Sequence, residues 1–200
     1  IIFISDEKPE IKRNNIFFYK TKDVINSGFT NMHSKYLCTS WDKSLYHISL
    51  NNKYKYYWII EDDVYMKNII PIFSNDNSDL FLFGWEKKYG DKWVHWKLGK
   101  KYFNKINLSA SINQCTRLSR NMINHILEFN KKHHSLLFHE ILFLSLAKKY
   151  NLKIKRIKNL KVQISALDKQ KNLSTREKVI KANRENYLIV HPLKKWYNIK

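Results

Sequence analysis

The segment YYWIIEDD, residues 56–63, is the strongest structural signal in the chain. Five apolar residues are followed directly by three carboxylates. A continuous apolar run of this length is typical of a strand that is buried on both faces in a mainly parallel sheet. In open α/β sheets the ligand crevice lies beyond the carboxyl ends of the strands, which is where the three acids fall. The segment therefore predicts an interior strand with a candidate binding site at its end.

Short β-rich runs alternate with helical stretches on either side of this strand, which predicts an α/β fold. Further strands are expected at residues 1–5, 15–19, 79–85, 152–157 and 187–190. Helices are expected at residues 40–51, 119–130 and 136–150, loops at 22–29 and 86–107, and a charged helical or mobile segment at 165–186. We predict a single domain over residues 1–200, with a mainly parallel central sheet flanked by helices.

The three acids Glu61, Asp62 and Asp63 predict a metal site. Adjoining carboxylates at a strand end repel one another and lose hydration unless a cation lies between them. A hard divalent cation such as Mn²⁺ or Mg²⁺ takes carboxylate oxygens and leaves coordination positions for phosphate oxygens. The alternative is a solvated acidic turn. Because the acids stand behind an apolar strand in a chain of net charge +20, we favour a metal that binds a diphosphate.

The net charge of +20 favours an anionic partner, which is nucleic acid, an anionic membrane surface or a phosphorylated small molecule. The lysines are spread along the chain, and no zinc-finger, RRM-type or helix-turn-helix signature is present, so no specific nucleic acid is expected. Two alternatives stay open: a basic nucleic-acid-binding protein, and a metal-dependent nuclease or phosphotransferase that uses the acids as a two-metal cluster.

The sequence gives no sign of membrane insertion or export. No run reaches about 18 consecutive apolar residues, the length that a spanning helix needs. The first five residues lack the basic flank of a signal peptide. We therefore expect a cytoplasmic location.

An ordered set of short motifs resembles the glycosyltransferases of the GT-A type. The block SWDKSLY (40–46) followed by YWIIEDDV (57–64) is similar to a "WDKALY … WfiEDDV" block of glycosyltransferase-like proteins from algae, protists and large viruses. Further similarities, in the same order as in that group, are DL (79–80), CTRLSR (115–120), FHEILF (138–143) and HPLK (191–194). The acidic motif departs from the family's Asp-x-Asp, so which two of its three acids bind metal stays open.

The resemblance implies a Rossmann-like GT-A domain that transfers a sugar from a nucleoside-diphosphate sugar to a glycan or glycoprotein acceptor, with Mn²⁺ or Mg²⁺ as cofactor. It implies that Asp63 is the principal metal ligand, that Glu61 or Asp62 assists it, and that His191 approaches from the chain end as a further ligand.

The resemblance also implies contacts to the nucleotide. Ser5 and Asp6, at the end of the first predicted strand, would meet its base or ribose. Lys43 could reach a phosphate or the base, and Lys194 would neutralise the diphosphate. For Trp41, on the same predicted helix as Lys43, we favour core packing.

Transfer with inversion of configuration needs a base that deprotonates the acceptor hydroxyl. Glu140 is the best candidate, because it opens a very apolar helix and a helix N-terminus favours the ionised carboxylate. The simpler explanation is an ordinary helix-start glutamate. Asp79, at a predicted strand edge, is the rival base, and His139 could contact the acceptor.

Tryptophans and arginines supply the remaining candidates. Trp85, Trp93 and Trp96 fall in the predicted loop over 86–107 or just before it, where they either stack on sugar rings or pin the loop to the core. Arg117 and Arg120 lie at a predicted helix N-terminus, where arginine can bind phosphate, although Arg120 is better explained as a surface residue.

Overall fold

The computed structural model describes most of the chain between residues 2 and 156, and two short segments and two single positions after it. The described residues are 2–5, 14–33, 37–62, 64–66, 76–82, 86–156, 162–164 and 189–191, together with positions 177 and 180. Over these residues helices pack on a small mixed sheet, which confirms the prediction of an α/β fold.

The largest described sheet has four strands in the order β3-β8-β5-β9. These strands are β3 (Tyr56–Ile60), β5 (Leu80–Leu82), β8 (Cys115–Ser119) and β9 (Ile154–Arg156). β8 is antiparallel to both β3 and β5, while β5 and β9 are parallel. Three strands thus run in one direction and β8 alone runs against them, so the described sheet is mixed rather than mainly parallel.

The sheet is mixed because β8 lies between β3 and β5 and is antiparallel to both. The sequence predicts a helix from residue 119 and, by the resemblance, a helix start over 115–120, but Cys115–Ser119 is a fully buried strand and the helix begins at Arg120. The strand's polar residues disguise it: the buried Thr116 hydroxyl donates to the Phe81 carbonyl of β5, and the terminal nitrogens of the buried Arg117 guanidinium donate to the carbonyls of Asp76 and Ser78, just before β5. The strand predicted from 56–63 is β3, at one end of the described order.

Three smaller sheets surround this one. β1 (Phe3–Ser5) pairs in parallel with β2 (Ile16–Phe18), and β6 (Glu86–Lys87) pairs with β7 (Ala110–Ser111). β11 (Ile189–His191) is parallel to β10 (Val162–Ile164) and antiparallel to β4 (Tyr65–Met66). Because β4 follows the acidic segment directly, the strand that carries His191 is held beside that segment.

The helices of the described chain are α1 (Thr21–Asn26), α2 (Ser40–Leu50), α3 (Val94–Gly99), α4 (Arg120–His133) and α5 (His139–Lys149). The loops predicted over 22–29 and 86–107 are wrong, because they contain α1, β6 and α3. Both missed helices are six residues long, too short to show a helical period in the sequence. The charged segment predicted over 165–186 lies almost wholly outside the described residues.

The core lies between the four-stranded sheet and the helices α4 and α5. Every residue from 141 to 147 is buried, which explains why this helix is apolar around its whole circumference. The α4 helix presents Met122, Ile123 and Ile126 to the same core. Within the described residues, no helix combines the length and the apolar character that crossing a bilayer requires.

Candidate functional site

The acidic segment begins immediately beyond β3 in a backbone turn. The Glu61 N–H donates to the carbonyl of Gln114 at 2.9 Å, which extends the pairing of β3 with β8 by one residue. The Val64 N–H then donates to the Glu61 carbonyl at 3.2 Å and closes the turn. The turn leaves Asp62 exposed and Glu61 half-buried, while Asp63 lies outside the described residues.

The start of α2 reaches the side chain of Glu61. The indole Nε1–H of Trp41 donates a hydrogen bond to Glu61 Oε1 at 2.8 Å. The cap of α2 sets the position of Trp41. Thr39, and not Ser40, is this cap: its hydroxyl accepts the N–H of Asp42, and its own N–H donates to Asp42 Oδ2 at 2.7 Å. Burial raises the pKa of Asp42 to about 6, although the hydrogen bonds from Thr39 oppose the rise.

His139, the first residue of α5, packs against the ring of Trp41. The ring of His139 stacks on the Trp41 indole, with centroids 4.2 Å apart and planes 10° apart. Burial lowers the pKa of His139 to about 3, and the nearby charge of Glu61 only partly opposes this. His139 is therefore a neutral ring at neutral pH, and its carbonyl accepts a hydrogen bond from Asn113 Nδ2 at 2.9 Å.

Glu140 lies in the first turn of α5, directly after His139, and is half-buried. Burial and the negative charge of Glu140 both raise the pKa of Tyr89. Tyr89 packs against Trp93 with ring centroids 4.2 Å apart, and the Trp93 ring meets Phe138 edge-on. An aromatic pair therefore lies beside the carboxylate that the sequence selects as the base.

The structure thus brings together the end of β3 and the first turns of α2 and α5. Glu61 contacts Trp41, Trp41 stacks on His139, and Glu140 follows His139 in the chain. Nothing in the sequence pairs Trp41 with His139, because they lie on elements far apart in the chain and their contact is made only by the tertiary fold. Core packing of Trp41 is confirmed, since it is 4% exposed, but its indole N–H also reaches the acidic segment.

Asp79 lies at the opposite end of the sheet. Leu80 pairs with Leu118 of β8, whereas Ile60 pairs with Cys115, so Asp79 and Glu61 are separated by roughly 15 Å along the strand direction. Asp79 Oδ2 accepts the backbone N–H of Lys153 at 3.0 Å. The two candidate bases are therefore not brought together, and only Glu140 adjoins the elements around Glu61.

The other predicted nucleotide contacts are placed only in part. Lys43 is 3% exposed within α2, so it is not part of the exposed basic surface. Ser5 ends β1, a strand that contacts α2. Asp6 and Lys194 lie outside the described residues.

His191 is placed by its backbone. In the antiparallel pairing of β11 with β4, Ile189 is opposite Met66 and Val190 is opposite Tyr65. The same register continues to His191 opposite Val64, the residue that closes the acidic turn. The structure therefore puts the backbone of the predicted histidine ligand beside the end of the acidic segment.

The remaining candidates divide between structural and undetermined roles. Trp96 is buried in the core, Trp93 is half-buried, and Trp85 lies outside the described residues. Arg117 does not lie at a helix N-terminus but in β8, where it is buried and paired with Asp76. Arg120 is exposed, as expected, and donates to the carbonyl of Tyr54 at 3.0 Å.

The donor set of the acidic segment fits a hard cation. Glu61 and Asp62 supply carboxylates from adjacent positions in the chain, and Trp41 donates a hydrogen bond to the first of them. Among the described residues no group of three or more His, Cys, Asp or Glu side chains is close enough to hold a metal ion. Asp63 and the side chain of His191 lie outside those residues.

No family model, curated protein or solved structure matches the chain.

Proposed function

We propose that this protein is a metal-dependent glycosyltransferase that moves a sugar from a nucleoside-diphosphate sugar to a hydroxyl group of a glycan or glycoprotein. One observation carries the proposal: Glu61, at the end of β3, is held by Trp41 on the same aromatic stack that joins it to the first turn of α5. Glu61 and Glu140 thus belong to elements that the same stack connects, which supports a site with one carboxylate for a cation and another for a base.

The donor side of the proposed site is the acidic segment. Glu61, Asp62 and Asp63 would hold Mn²⁺ or Mg²⁺, with His191 as a further ligand from β11. When bound, the cation would neutralise the diphosphate and so make it a better leaving group. Ser5, Asp6 and Lys194 would contact the nucleotide, as the resemblance implies, whereas Lys43 is buried within α2.

The proposal includes the fold that the resemblance implies, a Rossmann-like GT-A domain. Its support is the shared direction of β3, β5 and β9, the parallel pair β1–β2, and the position of the acids beyond the carboxyl end of β3. Carboxyl ends of strands that share a direction form one edge, and ligands of open α/β sheets bind along it.

The acceptor side of the proposed site is the first turn of α5. Glu140 would take the proton from the acceptor hydroxyl while that oxygen bonds to the anomeric carbon and the nucleoside diphosphate departs with the electrons of the broken bond. The helix N-terminus favours the ionised carboxylate that this role requires. Tyr89 and Trp93 add aromatic faces beside it, which suit the apolar face of a sugar ring.

The test is a thermal-shift panel of UDP-, GDP-, TDP- and CMP-sugars, each with and without Mn²⁺. A ligand that binds only the folded form raises the melting temperature. We expect at least one nucleoside-diphosphate sugar to raise it, and to do so more when Mn²⁺ is present. Asp63→Ala should abolish the metal-dependent part. Glu128→Gln, an exposed substitution on α4, is the matched control and should respond like the parent.

Two results would overturn the proposal. The first is an Asp63→Ala variant that responds to nucleotide and metal as the parent does. The second is no response to any member of the panel, combined with tight DNA or RNA binding that weakens steeply with salt. That outcome would favour the nucleic-acid-binding alternative, which the net charge of +20 supports.

A further inference from the structure

Both the ring and the N–H group of the Trp41 indole are held by neighbouring residues. Its ring is stacked on His139 and meets Phe143 edge-on at a centroid distance of 5.7 Å. Its one polar atom points at Glu61, with the hydrogen bond at 2.8 Å. Because Trp41 is 4% exposed and lies in a capped helical turn, neither the ring nor its N–H can reorient without disturbing the core.

We infer that Trp41 is a positioning residue that fixes the Glu61 carboxylate for cation binding, and that His139 holds the indole in the orientation this requires. The inference rests on the proposed metal-dependent function and adds to it the device that preorganises the site. A glutamate side chain loses conformational freedom when it is immobilised, and this loss opposes binding. A carboxylate already held in place does not lose that freedom again when the cation arrives.

The chemical identity of the donor matters as much as its position. An indole N–H donates one hydrogen bond and carries no charge at any accessible pH. It therefore orients the carboxylate without neutralising it. A lysine or arginine at the same place would form an ion pair with Glu61 and compete with the incoming cation.

The test must separate this role from simple core packing, because Trp41 belongs to the hydrophobic core. Trp41→Phe keeps an aromatic ring for the stack and removes the N–H donor. Outer-sphere partners of metal ligands typically contribute 10–100-fold in metal affinity. We therefore expect the Kd for Mn²⁺ alone, measured by calorimetry or by electron paramagnetic resonance, to rise about 10–100-fold. Phe129→Leu, a core substitution on α4, is the matched control and should lower the melting temperature without changing that Kd.

The role of His139 is tested in the same assay. His139→Phe preserves a flat ring under the indole and should keep the Kd for Mn²⁺ within about threefold of the parent, whereas His139→Ala releases the indole and should weaken binding like Trp41→Phe. The hydrogen bond has its own readout in the metal-free protein. Glu61→Ala should speed exchange of the Trp41 indole N–H, measured by NMR.

The outcomes distinguish failure of the positioning role of Trp41 from failure of the proposed function. If the parent binds Mn²⁺ and Trp41→Phe binds it equally well, the positioning role is overturned and the proposed function stands. If the parent binds neither Mn²⁺ nor any nucleotide sugar, the proposed function fails, and the positioning role for a cation fails with it. Unchanged indole exchange in Glu61→Ala would remove the contact on which the inference rests.

Discussion

Ser119 Oγ donates a hydrogen bond to Asp79 Oδ1 at 2.7 Å, and the same hydroxyl accepts the backbone N–H of Met122 at 3.1 Å. Asp79 thus supports the N-cap of α4 from the start of β5. Its other carboxylate oxygen accepts the N–H of Lys153, just before β9. Asp79, the alternative candidate base, therefore has a structural role: its carboxylate links the starts of β5, α4 and β9. It lies at the end of the sheet away from Glu61.

Asp79→Ala should lower the free energy of unfolding by about 1–3 kcal/mol, because it leaves the Ser119 hydroxyl and the Lys153 N–H without this acceptor. It should leave the response to Mn²⁺ and nucleotide sugar unchanged. Urea unfolding and the thermal-shift panel measure the two effects on one sample. Loss of sugar transfer in a variant that is still folded would restore Asp79 as a candidate base.

The strand β3 could be predicted from sequence because its apolar run is continuous and ends abruptly in charge. The strand β8 could not, because a buried arginine and threonine break the apolar pattern and a serine that caps the next helix ends it. What makes Arg117 acceptable in a sheet is Asp76, which lies far from it in the chain. Hydrophobic periodicity depends only on neighbouring residues in the sequence. It therefore does not reveal a strand whose buried polar residues are paired with residues far away in the chain.

The buried pair of Arg117 and Asp76 supplies a second prediction. Burial opposes ionisation of Asp76, but hydrogen bonds from Lys155 and Ser78 and the charge of Arg117 hold the pKa of its carboxyl well below the usual range. The Arg117 guanidinium also lies over the Tyr56 ring, 4.2 Å from its centroid. Asp76→Asn leaves that buried cation without its counter-charge and should cost about 3–5 kcal/mol in urea unfolding.

The control for this pair is the double variant Asp76→Asn with Arg117→Met. Replacing both partners removes the uncompensated charge, so a large part of the lost stability should return. A double variant as unstable as the sum of the two single variants would show that the ion pair is not what the single substitution disrupts.

Glu86 should make stability depend on pH in the acid range. Burial opposes its ionisation, but hydrogen bonds from Lys148, Ser109 and Arg156 outweigh burial and lower the pKa to about 2 from an ordinary value of 4.5. A folded-state pKa below the unfolded value gives stability that is present above about pH 4.5 and is lost as pH falls toward 2. Glu86→Gln should therefore be less stable than the parent by about 1–3 kcal/mol at pH 7, after allowance for solvent screening of the partly exposed pair.

The measurement is urea unfolding of parent and Glu86→Gln at a series of pH values. The difference in free energy of unfolding between the two proteins should narrow as pH falls below about 4.5. The parent's carboxyl becomes protonated there and loses its charged interactions. A gap that stays constant down to pH 2 would mean that the substitution acts through packing and not through charge.

The candidate site could be predicted from sequence only in its separate parts. The acids at 61–63 and Glu140 each stand out because a carboxylate adjoins an apolar run. What links them is the stack of Trp41 on His139, and an aromatic residue in an apolar helix is equally typical of ordinary core packing. The sequence therefore identifies the charges of the site, while the uncharged residues that orient them become visible only in the fold.

Glu140→Gln separates donor binding from chemistry. The amide keeps the size of the side chain in the first turn of α5 but cannot accept a proton from the acceptor. We expect the Mn²⁺-dependent thermal shift with the donor to match that of the parent, while the rate of sugar transfer falls by about 10²–10⁴-fold, the usual contribution of a general base. Glu128→Gln, the same chemical change at an exposed position of α4, should alter neither quantity. If Glu140→Gln transfers sugar at the parent's rate, Glu140 is an ordinary helix-start glutamate. The proposed reaction would then need a different base, and the Asp63→Ala test of the metal site would be unaffected.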